Sequence, residues 1–142
     1  MQRLVKALLE SYYCRLGHME IPNLGQREIA FFYESKVIRH RQFNTWDELK
    51  KYLCKYTPLH VFYSVALYSD PRHTDMEMKG WLGADIVIDI DADKYKCSTY
   101  RGCMVEAYYT AKYILDILRG GLGLAPKVRF SGRRGYHIVV ED

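Results

Sequence analysis

The sequence predicts an α+β fold, and three observations carry that expectation. Segments at the start of the chain and around residues 99–119 place apolar residues at helical spacing, and a capping box opens a further helix between them. Several short apolar or alternating stretches, bounded by turn residues, read as strands. Strands and helices mix without a strict βαβ rhythm. No internal repeat and no low-complexity segment is visible.

Taken in order, Leu4, Val5, Leu8, Leu9, Tyr12 and Leu16 predict an amphipathic first helix. Ile21-Pro22-Asn23 through Gly25 reads as a loop. Residues 27–33 and 36–43 read as a hairpin pair joined at Glu34-Ser35. Thr45-x-x-Glu48 is the capping box, whose side chains satisfy backbone N–H groups at a helix start, and the helix it opens carries Leu49, Tyr52 and Leu53. Residues 59–68 read as a long, largely buried strand, 69–83 as a polar loop, and 85–91 as a strand closing on acidic residues. A helix is expected over about residues 99–119, with Val105, Tyr108, Ile114, Leu115 and Leu118 apolar and Gly120-Gly121 at its end. A hairpin, residues 127–140, closes the chain.

The first chemical signal is Ala84-Asp85-Ile86-Val87-Ile88-Asp89-Ile90-Asp91-Ala92-Asp93. Strand alternation puts Ile86, Ile88 and Ile90 on one face and Asp85, Val87, Asp89 and Asp91 on the other. Two carboxylates two residues apart sit roughly 6.5–7 Å apart at the backbone, so their oxygens can converge on a hard divalent cation or bridge two. Mg²⁺ suits such a pair, completing its shell with water and substrate phosphates. Alone, Asp-x-Asp is as readily a strand end entering a turn. Asp93 reads as a turn residue, and Asp85 lies too far upstream to join the same ion.

The second signal is the turn Ser131-Gly132-Arg133-Arg134-Gly135, set between two strands and followed by Tyr136-His137. Glycines on either side of two arginines allow a tight turn with positive-φ positions. The turn offers backbone N–H groups, a hydroxyl and two guanidinium forks, which match phosphate oxygens, and His137 adds a further donor. An ordinary basic hairpin would look similar taken by itself.

Composition bounds the rest. A chain of 142 residues is of single-domain size, so one domain over residues 1–142 is expected. Lys plus Arg exceed Asp plus Glu, 21 against 17, a mild excess that fits a nucleic-acid partner without requiring one. Thirteen tyrosines offer surfaces for base stacking or for the core. No apolar run approaches the roughly twenty residues of a membrane span, and the start lacks a small-residue cleavage site, so a cytoplasmic protein with no membrane partner is expected. Cys14, Cys54, Cys97 and Cys103 form no Cys-x-x-Cys pair, which makes zinc doubtful and predicts reduced, structural thiols.

Several blocks occur in a telling order: Arg27-Glu28-Ile29-Ala30-Phe31, Ile38-Arg39-His40 with Gln42-Phe43, Leu59-His60-Val61-Phe62-Tyr63-Ser64, and Met76-Glu77-Met78-Lys79-Gly80-Trp81-Leu82-Gly83. Asp89-Ile90-Asp91-Ala92-Asp93 and the Ser131–His137 block follow. In this order they resemble the small catalytic subunit of archaeal and eukaryotic-type DNA primase, of the archaeo-eukaryotic primase superfamily. The Ser-Gly-x-Arg-Gly-x-His block is the most specific of them.

The resemblance implies the N-terminal part of a primase-type catalytic core, with mixed or antiparallel β-sheets flanked by helices. It implies a nucleotidyltransferase that makes short RNA or DNA primers on a single-stranded DNA template, from nucleoside triphosphates, by two-metal chemistry. A primase large subunit is the implied heterodimer partner. By match to the family motif, Asp89 and Asp91 take Mg²⁺ or Mn²⁺. Ser131, Arg133, Arg134 and His137 take the triphosphate, and Glu28 and Arg39 stand near the nucleotide. Lys79 and Arg72 are candidates for template phosphates. Family members often carry a zinc knuckle before the Ser-Gly-Arg block; with Cys97 and Cys103 alone in that stretch, it is expected to be degenerate or lost. They also place a third metal-binding carboxylate well downstream of the His block. A chain ending at Asp142 is therefore expected to be a truncated piece, or one part of a split enzyme whose missing aspartate comes from a separate chain or segment. The competing readings are a related primase-polymerase of repair or of a mobile element, and a catalytically silent nucleotide- or DNA-binding module. A phosphohydrolase using Asp-x-Asp is more distant.

Overall fold

A computed structural model of the chain describes residues 2–141. The architecture is α+β, and the chain divides into two compact units, Met1–Gly83 and Ala84–Asp142.

The first unit opens with α1 (Gln2–Arg15), then β1 (Ile29–Phe32), β2 (Val37–Arg41), α2 (Trp46–Tyr56) and β3 (His60–Tyr63). The strands form an antiparallel sheet in the order β2-β1-β3, so the expected hairpin of residues 27–43 is present. Alternation along β1 turns Ile29 and Phe31 inward, both fully buried with Trp46, Leu49 and Leu53 of α2 and Tyr13 of α1. The Phe31 ring stacks on Tyr52 of α2, centroids 4.5 Å apart. The capping box forms in a shifted version: Glu48 N–H donates to Thr45 Oγ1 at 3.2 Å, and the Glu48 carboxylate reaches back to Asn44 N–H at 2.9 Å.

Three expectations need correcting here. The apolar stripe of α1 is narrower than its sequence suggests: Leu9, Tyr13 and Leu16 pack on the core, while Leu4, Leu8 and Tyr12 stay exposed. The long buried strand of residues 59–68 is two short ones, β3 and β4 (Ala66–Tyr68), and β3 is mostly exposed. At the break the buried Arg27 guanidinium donates to the carbonyls of Ser64 at 2.7 Å and Val65 at 3.4 Å. The supposed loop of residues 69–83 contains a 3₁₀ turn (Glu77–Lys79) and a strand, β5 (Trp81–Ala84), which pairs with β4.

The cysteines also depart from expectation. Cys14 of α1 and Cys54 of α2 form a disulfide with Cα atoms 4.7 Å apart, and Cys97 and Cys103 form a second with Cα atoms 5.4 Å apart. The thiols are therefore paired, not reduced. Sequence spacing hid the first pair because packing of α1 against α2 closes a separation of 40 residues.

The second unit carries β6 (Ile86–Asp91), α3 (Tyr100–Asp116), β7 (Lys127–Phe130) and β8 (Gly135–Val140). These strands form an antiparallel sheet in the order β6-β8-β7. Thr99 caps α3 by accepting from Gly102 N–H at 3.1 Å, and a π-helical turn, Ile117–Gly121, ends it at the predicted glycines. The buried side of α3 is the expected one only in part: Leu118 is buried, and Ile114 and Leu115 pack against the same core. Cys103, Ala107 and Ala111, at i, i+4 and i+8, pack with Ile90 and Ile138, joined by Leu118, while Val105 and Tyr108 face outward. The small residues at 103, 107 and 111 let the helix approach the sheet closely. Among the described residues no helix is long and apolar enough to cross a membrane.

Candidate functional site

The second unit's sheet places its acidic strand beside its basic hairpin. Register pairs Asp89 of β6 with His137 of β8, and Asp91 with Gly135 at the mouth of the turn. Along β6, Ile90 is buried and Ile88 packs against the same core, while Asp89 is exposed and Asp91 half-buried. The expected inward and outward faces hold over residues 88–91 but not upstream, where Ile86 is exposed and Asp85 buried.

Two glycines shape the turn for different reasons. Gly132 has φ +89°, a conformation costly for any residue with a Cβ. Gly135 has no positive φ; a Cβ there would lie 1.9 Å from the carbonyl oxygen of Ile90, so only glycine lets β8 run this close to β6. The turn is closed by Ser131 N–H donating to Gly135 O at 2.8 Å, and Ser131 Oγ accepts from Arg134 N–H at 3.3 Å. Ala92 N–H donates to Arg134 O at 2.7 Å, tying the turn to the end of the acidic strand. The Tyr100 hydroxyl donates to Arg133 O at 2.6 Å. The Arg133 side chain is exposed.

The side chains meet across the strands. His137 Nε2 lies 3.3 Å from Asp89 Oδ1. Arg134 lies 3.4 Å from Asp91 Oδ1 and 3.0 Å from Asp93 Oδ2. Sequence reading made Asp93 a turn residue; here it is a partner of Arg134. Tyr100, which holds the turn's backbone from α3, was also missed, and nothing in its local sequence signals the contact. Asp89 and Asp91 are an open pair of oxygen donors, chemistry that suits a cation taking its other ligands from water and phosphate. Among the described residues, no group of three or more His, Cys, Asp or Glu comes together to hold a metal.

Glu28 and Arg39 lie in the first unit, bound to each other. Arg39 Nε donates to Glu28 Oε1 at 2.9 Å and its Nη2 to Oε2 at 3.4 Å. His40 adopts φ 58° where the β1–β2 pairing is irregular, and its N–H reaches Glu28 Oε1 at 3.1 Å. Lys79, expected near template phosphates, is fully buried. Its Nζ donates to Glu28 Oε2 at 2.8 Å and to Pro71 O at 2.6 Å. An ammonium without water must find a carboxylate, and Glu28, 51 residues away, supplies it. Burial pushes the Glu28 carboxyl up, but the donors from Lys79, Arg39 and His40 outweigh it and hold the pKa at about 2. Arg72 is solvent-exposed, 3.9 Å from Asp70.

No family model matches the chain. Curated relatives do. The chain is 39% identical to the DNA primase small subunit PriS of Pyrobaculum islandicum, over 98% of this chain and 47% of that protein. It is 40% identical to the Pyrobaculum calidifontis protein of the same name over the same shares, and 37% identical to that of Methanosphaerula palustris over 97% of this chain and 39% of that protein. The chain thus spans about half the length, or less, of these relatives. Over the stretch it covers, the chain is similar to DNA primase small subunits.

Proposed function

We propose that this chain forms the metal- and nucleotide-binding part of a primase small subunit, a nucleotidyltransferase that makes short RNA or DNA primers on a single-stranded DNA template. One observation carries the reading: Asp89 with His137, and Asp91 with Arg134, stand 3.3 and 3.4 Å apart. Carboxylates for a divalent cation and cations for phosphate thus share one surface, as a metal-bound triphosphate requires. In this reading Asp89 and Asp91 hold Mg²⁺ or Mn²⁺, which when bound activates the attacking hydroxyl and stabilises the leaving pyrophosphate. Arg133 and Arg134 orient the triphosphate through their forks, His137 donates to it, and the Ser131 hydroxyl supports the turn. A primase large subunit is the proposed partner, and a third carboxylate is proposed to come from another segment or chain.

A second reading, a silent nucleotide- or DNA-binding module, is favoured by the lack of a three-ligand metal cluster among the described residues. Titrating Mn²⁺–ATP and an oligo-dT strand against the wild type and Arg133→Ala tests the assignment. We expect nucleotide affinity to fall about tenfold or more, as for loss of a charge-assisted contact, with similar losses for purine and pyrimidine triphosphates. Loss of oligo-dT affinity with nucleotide affinity intact would assign the turn to template backbone. Nucleotide binding without incorporation would favour the silent module.

A further inference from the structure

The outward face of the first unit's sheet has an unusual composition. Beneath β1 lie the buried Ile29 and Phe31, so this face needs no further apolar cover. Yet it carries Phe32 and Phe62, rings edge to face with centroids 5.0 Å apart, and Phe62 is 53% exposed. His60, opposite Phe32 in register, adds a third ring 6.3 Å from Phe62. Ala30, opposite Phe62, leaves a depression of about 180 Å³, bounded by Phe62, Tyr68, Glu28 and Arg39.

Charge identifies the occupant. Glu28 is held by two cations, Lys79 and Arg39, so the cluster retains one positive charge. Lys79 is fully buried and Arg39 is 54% exposed, so that charge is presented to solvent on a guanidinium. An apolar protein segment would desolvate Arg39 without answering it. A chain of stacked bases joined by phosphates answers both features: rings and guanidinium planes stack on bases of any sequence, and the guanidinium fork binds phosphate.

We propose that this face is a platform for single-stranded nucleic acid, with bases stacked on Phe62 and Phe32 and a backbone phosphate at Arg39. This rests on the primase reading above and deepens it. It gives Arg39 to the template instead of the nucleotide, and makes Lys79 and Glu28 the groups that position it.

Anisotropy of a labelled oligo-dT strand, beside calorimetry with Mn²⁺–ATP, tests this on the full chain. Phe62→Ala is expected to weaken oligo-dT binding about tenfold, the scale of one lost stack. Phe62→Tyr should retain wild-type affinity, and an abasic strand of equal length should bind wild type and Phe62→Ala alike. Arg39→Ala should lower affinity and reduce the salt slope by about one phosphate contact. Thermal midpoints of each variant check the fold, and Phe62→Leu, which keeps apolar volume but loses the ring, covers a misfolded alanine variant. Oligo-dT affinity within twofold of wild type for both Phe62→Ala and Phe62→Leu overturns the platform, as does equal loss on the abasic strand. Loss of Mn²⁺–ATP affinity with oligo-dT unchanged in Arg39→Ala returns that residue to the nucleotide. Wild type binding neither ligand is instead a failure of the primase reading.

Discussion

His137 and Asp89 face each other across β8 and β6 with Nε2 and Oδ1 3.3 Å apart, so the side chain proposed to donate to phosphate and the one proposed to hold the metal pair with each other. Arg134 and Asp91 repeat the arrangement 3.4 Å apart. On the proposed reading, a divalent cation would have to compete with these side chains for the carboxylates, and a triphosphate with the carboxylates for the side chains.

Removing the cations should act in opposite directions on the two ligands. Arg134→Ala should tighten binding of Mn²⁺ alone by about two- to fivefold, the worth of an exposed ion pair, while weakening Mn²⁺–ATP. Electron paramagnetic resonance titration of free Mn²⁺ reads the first effect and calorimetry the second. Weakening of both would mean that Arg134 supports the site only structurally. Asp89→Asn with Asp91→Asn should abolish metal-dependent nucleotide binding with the thermal midpoint nearly unchanged, since Asp89 is exposed and the Asp91–Arg134 pair is a partly exposed ion pair of small worth.

The Glu28–Lys79 pair should appear in the pH dependence of stability. The Glu28 carboxyl is lowered from 4.5 to about 2, so its contribution is complete above pH 4.5 and lost as pH falls toward 2. The shift corresponds to about 3 kcal/mol. Glu28→Gln strands a buried ammonium and should cost about 3–5 kcal/mol at neutral pH, while adding Lys79→Met should restore much of it. Urea denaturation of both variants between pH 2 and 7 checks this; a single variant with wild-type stability at pH 7 would contradict it.

Gly135→Ala should destabilise by about 3 kcal/mol or more, because the added Cβ meets the Ile90 backbone, which cannot move without breaking the β6–β8 ladder. Gly132→Ala, with open space around it and only its φ of +89° to oppose it, should cost less. Equal midpoints for the two variants in chemical denaturation would refute the distinction.

Thiol titration of the unfolded, unreduced chain should detect no free thiol, and four should appear after reduction. Opening Cys14–Cys54 should cost about 4 kcal/mol on the chain-entropy scale and Cys97–Cys103 about 2, read as separate drops in thermal midpoint for the paired serine variants. With these pairs closed no thiolate is left for zinc, so elemental analysis should find zinc absent or substoichiometric.

The sequence by itself determined the local and periodic features. The capping box at Thr45, the hairpin of β1 and β2, the glycine end of α3, and the inward Ile88 and Ile90 with outward Asp89 and Asp91 all depend on neighbours within a few residues, where backbone geometry dictates spacing. Order along the chain also brought out the family, because its blocks are short contiguous words. Only the tertiary structure decided the partnerships between distant segments. Lys79 reads as a surface base until Glu28 is brought to it from 51 residues away. Arg27 reads as one residue of a strand until its buried guanidinium takes two carbonyls at the break between β3 and β4. Cys14 reads as a lone thiol until α1 lies on α2. In each case the deciding quantity is the cost of burying a polar or reactive group without its partner, which depends on three-dimensional proximity and leaves no periodic trace in the sequence.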